Sequence, residues 1–199
     1  MPRMALLGYV VFAALAFGWR SWVHWRRTGT TGYHGLSGRP GSAEWLGGAL
    51  FVVAIVATPL AALLELRGTL APLLHVAPAL ALVIGGVLYL IGLVGTLWSQ
   101  LAMGDSWRVG VRREERTALI TRGPYRTIRN PIYTFMIAGL LGLALLIPNA
   151  LALLSVVVLI VAVEIQVRVV EEPHLERVHG DGYASYRART WRFVPGFGR

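Results

Sequence analysis

The feature that most constrains the fold of this 199-residue chain is a series of five long apolar stretches. The hydrocarbon core of a bilayer is about 30 Å thick, and roughly 20 apolar residues of helix cross it. Only 15% of the residues are charged, whereas soluble domains average about 25%. We therefore predict an all-α integral membrane protein with five transmembrane helices, at residues 4–22, 45–64, 76–100, 132–147 (starting from Pro131) and 150–166.

The first stretch also fits a secretory signal, because Arg3 precedes an apolar run. It is followed, however, by tryptophan and arginine residues between positions 19 and 27, a composition typical of a membrane interface. We therefore favour a membrane helix. The predicted organisation is an N-terminal part, 1–100, with three helices and a basic loop, and a C-terminal part, 101–199, with a connecting loop, a membrane hairpin at 131–168 and a C-terminal segment.

The basic residues predict the orientation of the chain. All 19 are Arg, and five spans place 17 of them on the side of residues 20–44, the 101–130 loop and the C-terminal tail. Only Arg3 and Arg67 fall on the other side. The positive-inside rule then predicts an external N-terminus and a cytoplasmic C-terminus. The net charge of +9 thus reports membrane orientation, and no nucleic acid partner is needed to explain it.

Several kinds of chemistry are excluded or disfavoured. The chain has no Cys, which excludes disulfides and a thiol nucleophile. A metal site built from Glu171, Glu172, His174 and His179 lacks the helical His spacing of known sites, so we predict none. There is also no glycine-rich dinucleotide fingerprint and no phosphate-binding Walker loop.

Small residues within the apolar stretches predict close helix packing. Ala81 and Gly85 are four residues apart, as are Ala138 and Gly142, and such spacing lets helix backbones approach. Pro59 is expected to kink or end its helix. Pro148-Asn149 leaves almost no loop between the last two stretches, so these helices should be antiparallel neighbours. Residues 129–133 should therefore lie beside residues 168–172.

Two polar elements at these adjoining helix ends allow more than one interpretation. Asn130-Pro131 fits a helix start, with Asn at the cap and Pro at the first helical position. The same helix end, with Arg126 and Arg129 beside it, also suits a carboxylate ligand. Glu171-Glu172 fits either an interfacial ion cluster with Arg168 or a pair of carboxylates that receive hydroxyl or ammonium groups of a ligand.

Three short segments carry a resemblance when taken together. They are Gly123-Pro124-Tyr125-x3-Arg129-Asn130-Pro131-x-Tyr133, Glu171-Glu172-x2-Leu175 and Gly182-Tyr183-x2-Tyr186. This pattern resembles the isoprenylcysteine carboxyl methyltransferase family, which belongs with the wider group of integral membrane methyltransferases that includes phospholipid N-methyltransferases. The segment from Met103 to Val111 resembles the bacterial members. The resemblance covers roughly the C-terminal half.

The resemblance implies S-adenosylmethionine as cofactor, in a pocket that the C-terminal helical segment closes at the cytoplasmic interface. It implies a lipophilic small-molecule or lipidated acceptor that enters from the membrane lipids. Arg129, Arg168 and Glu172 are the implied catalytic residues, and Tyr183 helps to shape the pocket. The implied cofactor-binding residues are Gly123, Pro124, Tyr125, Arg129, Asn130, Pro131, Tyr133, Glu171, Glu172 and Leu175.

One position departs from the family pattern and bears on the acceptor. Many members have His where this chain has Asn130, and an amide cannot take up a proton at neutral pH. A carboxylate acceptor, with a pKa near about 4, is already ionised and needs no base, whereas an amine or a thiol must lose a proton. The sequence therefore favours carboxyl O-methylation, with Glu172 as a remaining candidate base.

Other functions stay open at this point. An N- or S-methyltransferase of the same family differs only in its acceptor. A membrane reductase of related topology would bind a reduced nicotinamide, and a non-catalytic membrane scaffold would bind neither cofactor.

Overall fold

The computed structural model describes residues 1–33, 35–110 and 118–198, and within these ranges the protein is helical, with two isolated β-bridges and no strand. Six helices are named here: α1 Pro2–Thr28, α2 Ala43–Leu66, α3 Pro78–Met103, α4 Pro131–Leu146, α5 Ala150–His179 and α6 Asp181–Arg189. Five residues used in the sequence predictions lie outside the described ranges, namely Val111 and four of the arginines counted for orientation, Arg112, Arg113, Arg116 and Arg199.

The predicted all-α membrane architecture is confirmed. Five apolar helices occur near the predicted positions, and among the described residues four of them, α1, α2, α3 and α5, are long and apolar enough to cross a bilayer. The helix α4 has 16 residues. It rises only about 24 Å, which is less than the thickness of the hydrocarbon core.

Two helices extend well beyond their predicted ends. The helix α1 continues to Thr28 through a π-helical segment, Ala14–Trp19, so the basic and aromatic segment is itself helical. The helix α5 continues to His179 through a second π-helical segment, Gln166–Glu171. The wider turn accommodates Pro173, whose ring crowds the preceding turn and which donates no hydrogen bond. The helix α2 likewise continues past Pro59, so this proline does not end it.

The helices α3 and α4 approach each other backbone to backbone. A Cβ atom added to Gly92 would lie 2.3 Å from the backbone nitrogen of Gly139, and one added to Gly142 would lie 2.5 Å from the backbone oxygen of Gly85. Only glycine fits at these contacts. The close packing predicted from the small residues at 85 and 142 is confirmed.

The connections between helices group at the two ends of the bundle as predicted. At one end, the backbone nitrogen of Leu73 donates to the oxygen of Pro148 over 2.8 Å, which joins the α2–α3 connection to the α4–α5 turn. At the other end, the backbone nitrogen of Val109 donates to the backbone oxygen of Gly32 over 2.8 Å. The backbone nitrogen of Arg129 likewise donates to the backbone oxygen of Trp191 over 2.7 Å. The α1–α2 connection, the α3–α4 connection and the C-terminal tail therefore meet at one end.

The contact between α3 and α4 can be tested by a single methyl group. We expect Gly92→Ala to lower the free energy of unfolding by about 1–3 kcal/mol, because the methyl would overlap the backbone of α4. Thermal unfolding of the purified protein in detergent measures this loss. Gly86→Ala is the matched control, because a Cβ at this position of α3 meets no atom within 4 Å. Equal stability of the two variants would contradict the packing described here.

Candidate functional site

A cavity of about 520 Å³ lies at the end of the bundle where the α1–α2 connection, the α3–α4 connection and the tail meet. Its volume falls within the range of small-molecule sites, about 300–1,000 Å³. Every helix contributes to its wall. Representative lining residues are Phe17 of α1, Phe51 and Ile55 of α2, Gln100 of α3, Met136 of α4, Gln166 and His174 of α5, and Tyr186 of α6.

The cavity brings together six of the ten residues that the resemblance implied for cofactor binding. These are Tyr125, Arg129, Asn130, Tyr133, Glu171 and Leu175. They come from the two segments that flank the α4–α5 hairpin, and the predicted proximity of those segments is confirmed. The hydroxyl of Tyr133 donates to Oε1 of Glu171 over 2.5 Å.

Three further implied residues are chain neighbours of lining residues but do not line the cavity themselves. Gly123 has a φ of +59°, a left-handed conformation that glycine adopts without strain, and begins a short 3₁₀ helix, Gly123–Arg126. Pro124 is buried within that helix. Pro131 is buried at the first position of α4, as the sequence predicts.

The tenth residue, Glu172, is enclosed by two arginines. Its carboxylate accepts from Nε of Arg129 over 3.1 Å and from Nη2 of Arg192 over 2.9 Å, and Nε of Arg192 also donates to both of its oxygens. The side chains of Arg129 and Glu172 are only 2% and 9% exposed. Glu172 does not line the cavity, and it links α5 to the tail and to the segment before α4. Nothing in the local sequence pattern indicated Arg192 as its partner.

Arg129 uses most of its donors on the protein. Nη1 donates to the backbone oxygens of Thr190 and Arg187 over 2.6 and 3.1 Å, and Nη2 donates to that of Gly198 over 3.2 Å. With Nε on Glu172, the guanidinium holds the tail against the bundle. In this structure, the carboxylate that Arg129 binds belongs to the protein.

The tail pairs with the segment that leads into α4. Ile128 and Trp191 form a parallel β-bridge, and both the backbone nitrogen and Nδ2 of Asn130 donate to the oxygen of Arg192. Asn130 stands at the N-cap of α4, as the sequence predicts, but its side chain makes no capping hydrogen bond, and its Nδ2 is directed to the tail. Thr134 of α4 adds a hydrogen bond to the oxygen of Phe193 over 2.8 Å. The tail thus closes one side of the site.

Two tyrosines of α6 complete this closure. The hydroxyl of Tyr186 donates to the backbone oxygen of Tyr125 over 2.8 Å. Burial raises the pKa of Tyr186 to about 12, so the phenol stays a hydrogen-bond donor at physiological pH. Tyr183 is fully buried beside Tyr186, with the ring centroids 6.1 Å apart, and supports the wall without lining it.

Arg168 lies away from the cavity. Its side chain is 54% exposed and pairs with Glu164, one turn earlier on α5, rather than with Glu172. The structure therefore does not bring this implied catalytic residue to the other site residues.

Sequence reasoning missed the part of the wall that surrounds Trp107. This buried indole lines the cavity, and the guanidinium of Arg20 stacks 4.7 Å from its ring centroid. Nη2 of Arg20 also donates to the backbone oxygen of Gly104 over 2.5 Å. Trp107 belongs to the segment that resembles bacterial members, but its partner comes from α1. A contact across 87 positions leaves no local signal.

The contrasting positions of the two neighbouring glutamates give a stability test. We expect Glu172→Gln to lower the free energy of unfolding by about 3–5 kcal/mol, because it leaves the buried guanidinium of Arg129 and the half-buried one of Arg192 without their carboxylate. Glu171→Gln is the matched control, since this residue faces the cavity and should leave stability near that of the natural chain. Thermal unfolding in detergent compares them, and a stable Glu172→Gln variant would contradict the role of this ion pair.

Comparisons with known proteins agree with this architecture. The sequence model of the phospholipid methyltransferase family matches residues 80–182, just over half of the chain. The structure of a eukaryotic intramembrane Ras methyltransferase, isoprenylcysteine carboxyl methyltransferase, is similar in fold, with a TM-score of 0.62 and 18% identity over 98% of this chain and 68% of that one. No curated protein matches the sequence. Since its family model spans α3, α4 and α5 together with most of the implied site residues, the chain belongs to the phospholipid methyltransferase family of membrane methyltransferases.

Proposed function

We propose that this membrane methyltransferase takes its methyl group from S-adenosylmethionine and passes it to a lipophilic acceptor. The observation that carries the proposal is that polar side chains from the family-matched region adjoin an apolar wall within one cavity, that of about 520 Å³. A polar ligand and an apolar one can meet there, which a transfer between a soluble donor and a lipid requires.

The polar side of the cavity fits the groups of this cofactor. The Glu171 carboxylate, held by Tyr133, can accept hydrogen bonds from ribose hydroxyls or an ammonium group. The first turn of α4, at Ile132 and Tyr133, also lines the cavity, and backbone N–H groups at a helix start suit a carboxylate. Tyr125 and Leu175 offer apolar surface. The bound cofactor would supply an electrophilic methyl group on a positively charged sulfur.

The protein's own contribution is positioning and exclusion of water. The tail and α6 cover the polar side, where Arg129 and Tyr186 hold them by hydrogen bonds to backbone oxygens. Alignment of two reactants in a closed site accounts for a large share of many rate enhancements. No side chain needs to bond covalently to either reactant.

A carboxylate is our first candidate for the acceptor. Neither of the two positions considered for a base suits that role. Asn130, which stands where many family members have His, cannot bind a proton. Glu172 is enclosed by Arg129 and Arg192 and does not line the cavity. A carboxylate needs no base because it is ionised at neutral pH.

An amine is the second candidate, and two observations favour it. The matching family model is that of phospholipid methyltransferases. Glu171, which does line the cavity, is a carboxylate to which an ammonium group could release its proton.

We also propose that the cavity end of the bundle faces the cytoplasm. The described arginines at that end include Arg26, Arg27, Arg122 and Arg126, whereas the opposite end carries Arg3 and Arg67. An excess of Arg is typical of cytoplasmic loops.

Binding of the cofactor product tests the class of enzyme. We expect isothermal titration of the purified protein to detect S-adenosylhomocysteine and not reduced nicotinamide dinucleotide. Glu171→Gln should weaken this binding about tenfold or more, since a hydrogen bond to a charged group contributes about 1.5–3 kcal/mol. Glu164→Gln, on the outer face of α5, is the control and should bind normally.

Other results of this titration would overturn the proposal. Binding of the nicotinamide alone would point to a reductase. Binding of neither compound would point to a non-catalytic membrane protein.

The pH dependence of methyl transfer separates the two acceptors. With an isotopically labelled methyl donor and native lipid extract, we expect a product that releases methanol in base, as methyl esters do. Between about pH 6 and pH 9 the rate should stay nearly level, because a carboxylate with a pKa of about 4 is ionised throughout. A rate that rises across this range, with a base-stable product, would identify an amine or a thiol acceptor instead.

A further inference from the structure

The wall of the cavity combines residues from two regions of the chain. The residues that resemble the methyltransferase family, and apolar residues such as Trp107 and Met136, lie inside the family match at 80–182. A further apolar part of the wall comes from α1, α2 and the α1–α2 connection, all of which precede residue 80. The cavity is therefore completed by a region of the chain that the family model does not include.

The helix α2 presents an apolar groove to the cavity. Gly48, Val52 and Val56 follow each other at intervals of four residues, so they form one stripe along the helix, and Phe51 and Ile55 lie beside it. The stripe extends about 12 Å, at about 1.5 Å per residue. Val52 and Val56 are 50% and 56% exposed, so the groove reaches the outer surface of the bundle. Such a surface fits a hydrocarbon chain.

The α1–α2 connection covers one end of this groove. It has a glycine at every third position, and each has a φ between 73° and 85°, a left-handed conformation that other residues rarely adopt. The segment is anchored by the bond between Val109 and Gly32 and by Ser42, which caps α2. It thereby places Leu36 on the cavity wall. The five glycines are Gly29, Gly32, Gly35, Gly38 and Gly41.

Leu36 rests in the notch that Gly48 leaves on α2. A Cβ atom added to Gly48 would lie 2.7 Å from Cδ2 of Leu36. Gly48 is the first member of the stripe, so Leu36 meets the groove at its loop end. An acceptor chain that lies along this stripe as far as Gly48 would therefore contact Leu36.

We propose that Leu36, seated against Gly48, is a specificity-determining residue that limits the bulk of the acceptor chain. This inference rests on the proposed function, because it concerns the acceptor of that same site. It assigns selectivity to the N-terminal region, whereas the cofactor is assigned to the family-matched region.

The test compares two acceptor probes with the same head group. They are N-acetylcysteine thioethers with a hexadecyl chain and with a phytanyl chain, which adds methyl branches to the same backbone. We expect Leu36→Ala to raise the ratio of kcat/KM for the phytanyl over the hexadecyl probe by about tenfold, the scale at which hydrophobic pockets discriminate methyl groups. Leu36→Trp should lower this ratio. Neither variant should change the Kd for S-adenosylhomocysteine.

A second variant tests the same proposal without changing Leu36 itself, in case Leu36→Ala or Leu36→Trp fails to fold. Gly48→Ala introduces a better helix former, and its methyl meets only the flexible end of Leu36, so the helix stays intact while Leu36 is displaced. We expect the probe ratio to change in this variant. Gly86→Ala is the matched control and should keep the natural ratio, since its methyl meets no atom within 4 Å.

Binding measurements separate this inference from the proposed function. If neither thioether is methylated, titration of both probes into protein saturated with S-adenosylhomocysteine gives the same ratio as a binding preference. An unchanged ratio in Leu36→Ala and Gly48→Ala, or absence of binding by both probes, would overturn the assignment. Absence of S-adenosylhomocysteine binding would instead overturn the proposed function, and titration of the two probes into the protein alone would still report on Leu36.

Discussion

The ion pair of Glu172 with Arg129 and Arg192 is the interaction on which the site depends. It joins three segments distant in sequence: the turn before α4, the part of α5 that follows its π-helical segment, and the tail. One carboxylate balances only one of the two guanidinium charges, and backbone oxygens of the tail supply the remaining acceptors of Arg129. Buried charges cost desolvation free energy, so this cluster specifies where the tail lies more than it adds net stability.

The enclosure of Glu172 explains how Glu171 comes to face the cavity. Successive residues of a helix point in directions about 100° apart, so adjacent side chains cannot both face the same partner. The tail takes Glu172, and Glu171 is directed toward Tyr133 and the cavity. Two identical neighbouring residues therefore serve different purposes. One positions the closure, and the other is available to a ligand.

Much of the fold could be predicted because membrane insertion leaves a strong local signal. Apolar length predicted the helices, Pro148-Asn149 predicted the hairpin, and small residues predicted close helix packing, which the structure locates between α3 and α4. The site was predicted in part, since the resemblance supplied six residues that do line the cavity. The contact of Trp107 with Arg20 was not predicted. The resemblance implied Arg168 as a site residue, but its exposed side chain pairs with Glu164 away from the cavity. These contacts join distant segments and follow no spacing rule.

The sequence by itself determined that the chain is a helical membrane protein, which connections share an end, and which two segments meet around residues 129–133 and 168–172. These properties follow from the hydrophobicity of each segment and the length of each connection, which can be read locally along the chain. Only the tertiary structure decided which glutamate faces the cavity, what Arg129 and Asn130 bind, and that α2 and Leu36 complete the wall. Those outcomes depend on competition among several donors and acceptors for the same partners, and packing of distant segments settles that competition.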